Sequence, residues 1–66
     1  MQKNRYDIHF KENYDVDGVD EICETFPEAQ QWYKDKRVRF HGTAERCQEF
    51  LRAVATVAEV EKTFTY

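Results

Sequence analysis

Along this chain the hydrophobic side chains change their repeat, first every second residue, then every third or fourth, and back again. Tyr6, Ile8 and Phe10 alternate with Arg5, Asp7, His9 and Lys11, which predicts a strand with one buried face. Val19, Ile22, Cys23 and Phe26 follow at i, i+3, i+4 and i+7, the apolar stripe of a short helix. Arg37-Val38-Arg39-Phe40-His41 alternates once more. Behind it, Thr43 is a suitable N-cap with Glu45 in the first turn. Ala44, Cys47, Phe50, Leu51, Val54 and Ala55 then take helical spacing. Val60, Phe64 and Tyr66 alternate with Glu59, Glu61, Thr63 and Thr65 in a last strand rich in β-branched residues. Lys62 falls on the apolar side of that strand, so it is expected at an edge or snorkelling outward.

Two segments need turn chemistry. Asn13 to Gly18 reads as a turn with its break at Asp17-Gly18. Pro27 cannot donate a helical hydrogen bond, yet apolar spacing continues through Ala29, Trp32 and Tyr33. A second short helix with Pro27 in its first turn accounts for both, and a single kinked helix is the alternative. The order is then β-α(α)-β-α-β over residues 1–66, one small α+β domain. Its expected form is a two-layer sandwich, a three-stranded sheet with two or three short helices on one face. Phe10 and Phe40 point into the core. The outer sheet face shows Arg5, Asp7, His9, Lys11, Arg37, Arg39, His41, Glu59 and Glu61, and no aromatic ring.

With 66 residues the chain holds one domain that buries only about 60% of its unfolded surface. Domains of that size usually need extra support. Aromatics, 15% of the residues, can supply it, and self-association is the other route. A homodimer pairing the Val60–Tyr66 edge is the form that route would take. No apolar run approaches the ~18 residues of a membrane span, and the start Met1-Gln2-Lys3-Asn4-Arg5 leads into no apolar signal core. The expected setting is therefore the cytoplasm, with Cys23 and Cys47 as free thiols rather than a bridge. Glu-x-Cys-x-x-Phe occurs at 21–26 and again at 45–50, a faint echo that places both cysteines on the inner side of their helices.

Charge is distributed in blocks. Thirteen acids stand against 10 bases, net −3, but residues 12–33 contain no Lys or Arg while 34–52 are mostly basic. Asp17, Asp20, Glu21, Glu24 and Glu28 recur at helical spacings of three and four. Like-charge pairs on one helix face cost about 0.2–0.5 kcal/mol each. The helix dipole offsets that cost near an N-terminus, and Glu24 is the acid it leaves unexplained. Trp32 and Tyr33 cannot both face a core from adjacent positions, and an exposed aromatic beside the acids is a natural interface anchor.

The competing surface is the basic strand face of Lys11, Arg37, Arg39 and His41, a candidate phosphate contact. It lacks an outward aromatic for base stacking, Glu59 and Glu61 reduce its field, and the pI is near 5.3. Nucleic-acid binding is thus the weaker reading. His9, His41 and the two cysteines have no zinc-ligand spacing, there is no serine, and the two glycines are isolated. No metal, cofactor or catalytic residue is expected. The sequence favours a non-catalytic protein-interaction module, an acidic inhibitor or adaptor docking on a basic protein surface that elsewhere holds nucleic acid. Short acidic single-domain chains of phages and mobile elements offer an analogy of size and charge.

Overall fold

A computed structural model describes residues 3–12, 14–32 and 36–66. The alternating segments become β1 (Asn4–Phe10), β3 (Arg37–Gly42) and β4 (Val60–Thr65), and the helical ones α1 (Val16–Thr25) and α2 (Ala44–Val54). Thr43 caps α2 as its residue type predicts, its Oγ1 accepting from the Arg46 N–H at 3.2 Å. The two helices lie over one face of the sheet. Between them and the sheet, Ile8, Val19, Val38, Phe40, Phe50 and Val54 are fully buried. The Phe50 ring centroid is 5.2 Å from that of Phe40 and 5.3 Å from that of Phe26, close to the distances at which aromatic pairs gain most.

Pro27 ends α1; it starts no helix. The residue before a proline is driven out of the α region, and Phe26 accordingly takes φ −119°, ψ 93°. The chain turns through Pro27 and Glu28, the Ala29 N–H donating to the Phe26 carbonyl at 2.9 Å. Ala29–Trp32 then forms β2, antiparallel to β3 with Ala29 opposite Phe40 and Trp32 opposite Arg37. The expected second helix, and with it a single kinked one, is replaced by this fourth strand. Apolar residues at 29 and 32 fit a helix by spacing alone. The open ladder of β3 paired this short segment along one side instead.

The sheet has the order β2-β3-β1-β4, antiparallel throughout. It is four-stranded, not three-stranded, and the chain order β-α-β-β-α-β is that of the split βαβ arrangement. The α+β class stands. α1 also begins earlier than the turn chemistry predicted. Asp15 is its N-cap, with Oδ1 accepting from the Gly18 N–H at 3.0 Å, so Asp17 and Gly18 lie inside the first turn. Gly18 is there for closeness: a Cβ would sit 2.7 Å from Cγ1 of Val57, in the loop whose carbonyl accepts from the Asp15 N–H at 3.1 Å.

β4 carries a bulge that resets its faces. Phe10 pairs with Val60 but His9 pairs with Lys62, leaving Glu61 as the extra residue. Val60 therefore packs on the core side. Thr63 and Thr65 take the inner register positions opposite Ile8 and Tyr6, while Lys62 and Phe64 move to the outer face opposite His9 and Asp7. The expected inward placement of Phe64 and Tyr66 is corrected: they are 42% and 63% exposed. Unbulged pairing would have set Lys62 opposite Ile8 and Phe64 opposite Tyr6, on the core side of the sheet.

Candidate interaction surfaces

The fold sorts the charges by layer. The helices carry six acids against two bases, whereas the strands carry four bases against two acids. On α1, Asp17, Glu21 and Glu24 are exposed on one side, and Asp20 is partly buried beside them. Asp17 stands in the first turn, where the dipole favours it. Glu24 stands in the last turn, where the dipole opposes it and no basic residue accompanies it.

Glu28, expected in the same stripe, is not on the helix. It lies in the turn before β2 and binds Arg46 of α2 with both oxygens, Nε at 2.9 Å and Nη2 at 3.3 Å. Arg46 Nη1 also donates to Glu49 at 2.8 Å, and its guanidinium rests 4.7 Å from the Phe26 ring centroid. Hydrogen bonding to Arg46 holds the Glu28 carboxyl below the usual range, and Glu28 in turn raises Arg46. This network ties the turn to α2, a structural use that removes Glu28 from the acidic face. Tyr33 lies outside the described residues, and Trp32 is placed by its backbone, in β2 opposite Arg37.

Among the described residues no helix covers the sheet's outer face. Arg37, Arg39 and His41 lie there beside Arg5, Asp7 and His9. Asp7 is 4% exposed, with Arg39 Nε 3.2 Å from its Oδ1. Lys11 stands past the end of β1, its Nζ 3.4 Å from Glu59, so Glu59 is spent locally. The bulge adds what the sequence reading missed, an aromatic margin. Phe64 meets the His9 ring edge-on at 5.3 Å, Lys62 Nζ lies 5.3 Å from the Phe64 centroid, and the Arg5 guanidinium lies 4.6 Å from the Tyr66 centroid. Lys62 at an apolar position, followed by Thr63, was the one sequence signal of the reset.

The thiols are sheltered. Cys47 is buried and Cys23 half-buried, unbridged. They are not equivalent, since Cys47 lies one turn after its cap residue and Cys23 two turns after Asp15, so the Glu-x-Cys-x-x-Phe echo is out of frame. Burial, with help from the Asp20 charge, pushes the Cys23 thiol up to about 11, and burial raises Cys47 as well. His9 and His41 stand at opposite ends of the β1–β3 ladder, opposite Arg37 and Arg5. Among the described residues no three metal-ligating side chains gather, no pocket opens, and no helix is long and apolar enough to cross a membrane. Comparison with protein-family models, curated proteins and solved structures finds no match, so both surfaces are judged on their own chemistry.

Proposed function

We propose that the protein is a small non-catalytic interaction module, an inhibitor or adaptor whose acidic α1 face docks on a basic protein surface. The observation that carries this reading is the exposed row Asp17, Glu21 and Glu24, closed by a carboxylate in the last turn against the dipole. On α2, Arg46 is committed to Glu28 and Glu49. A row of carboxylates on a rigid helix presents charge much as a phosphate backbone does, which suits a surface built for nucleic acid. It also speeds encounter with such a surface at low salt.

The test is capture of partners from the native cell with three baits. Wild type and the Arg5→Gln/Lys62→Gln variant should retain the same basic protein. The Glu21→Lys/Glu24→Lys variant should lose it while keeping its circular dichroism spectrum. Retention of the same partner by the charge-reversed bait removes the proposal.

A further inference from the structure

The uncovered sheet face is a second surface, independent of the acidic helix. We propose that it binds single-stranded nucleic acid, with bases stacking on Phe64 and Tyr66 and phosphates held by Arg5 and Lys62. The lack of an outward ring has a structural answer, and the acidic field has one in part. The bulge at Glu61 turns Phe64 outward, and Tyr66 follows it, so the face has two partly exposed rings. Glu59 is drawn to Lys11, and Asp7, the carboxylate among the outward positions of β1, is buried against Arg39.

Each ring has its own cation. Lys62 rests near Phe64 and Arg5 over Tyr66, so a base stacked on either ring brings its phosphate next to a positive group. The two rings are two residues apart, Phe64 in β4 and Tyr66 just past its end, an extended-chain spacing of about 6.8 Å. That is roughly twice the rise of stacked bases, so a strand with its bases unstacked reaches both. A duplex keeps its bases paired and stacked inside, and offers these rings nothing. An acidic peptide would use the cations and leave the rings idle. The pairing of cation and ring selects the nucleic acid. Nothing in the set reads a 2′-hydroxyl or a base edge, so the surface is indifferent to sugar and sequence.

Fluorescence anisotropy with a labelled oligothymidylate of about twelve nucleotides tests this at about 50 mM salt. The expected Kd is on the order of 10⁻⁵ M, weakening linearly in log–log terms as salt rises. Phe64→Leu/Tyr66→Leu, which keeps apolar area but removes the rings, should weaken binding about tenfold or more, and Phe64→Trp should preserve it. Arg5→Gln/Lys62→Gln should flatten the salt slope. All these positions are exposed, and unchanged circular dichroism confirms the fold. Four outcomes overturn the proposal. One is no binding at low salt, and another is equal binding of a duplex or of polyglutamate. The third is unchanged affinity in the leucine variant. The last is a sedimenting species heavier than the 8.0 kDa monomer that the leucine variant abolishes, which would assign the face to a second copy.

Discussion

Gly18 shows how one missing atom is used. In an exposed helix, replacing glycine with alanine gains about 1 kcal/mol. Here the added Cβ would fall 2.7 Å from Val57 Cγ1 and 2.8 Å from Asp15 Oδ2, crowding the loop after α2 and the cap of α1 together. Gly18→Ala should therefore destabilise, by about 1–3 kcal/mol in urea denaturation, because strain of that kind outweighs propensity. A stabilised variant would show that the loop yields freely. The dipeptide Asp17-Gly18 resembles a turn signal. The glycine is required by a neighbour about forty residues away in the chain, which no local reading detects.

At the scale of the element, the bulge in β4 sets which sheet face its side chains take. The unbulged register keeps strict alternation, with Phe64 opposite Tyr6 and Lys62 opposite Ile8. The bulged register turns Lys62 and Phe64 to the outer face and places threonines at the inner positions. In solution, nuclear Overhauser contacts should join the Phe64 and His9 rings and be absent between Phe64 and Tyr6. Deleting Glu61 should leave those contacts in place, since it removes the extra residue without changing the register of Lys62–Thr65. Contacts from Phe64 to Tyr6 would mean that alternation had won. The bulge and the edge lysine also blunt β4 as a pairing edge, which weighs against a dimer formed along it.

For the whole molecule, pH reports on groups that the fold has perturbed. Glu28 has a folded pKa below its ordinary value of 4.5, so its contribution is full above that value and is lost as pH falls through the folded one. Cys23 is raised from 9.0 to about 11, so its contribution is full below 9.0 and is lost as pH rises from there. Glu28→Gln should flatten the acid limb of the stability profile, and Cys23→Ala the alkaline limb, each measured by denaturant midpoints. Limbs identical to wild type would show that neither group is linked to folding. The same shielding keeps both thiols slow toward alkylation at neutral pH.

The α+β class, β1, β3, the stripes of both helices, the Thr43 cap and the inward Phe10 and Phe40 all follow from the sequence, because each rests on a repeat or a cap within a few residues. The base-free stretch with its exposed acids is equally local. Three features were settled by tertiary structure alone: Ala29–Trp32 as a strand, Glu28 as the partner of Arg46, and Phe64 facing outward. In each case a distant element is involved: an open ladder on β3, a guanidinium on α2, and the bulged pairing of β4 with β1. Local spacing states what a segment is able to form. Competition for hydrogen bonds and for dry volume selects among those forms, and that competition exists only once the chain has come together.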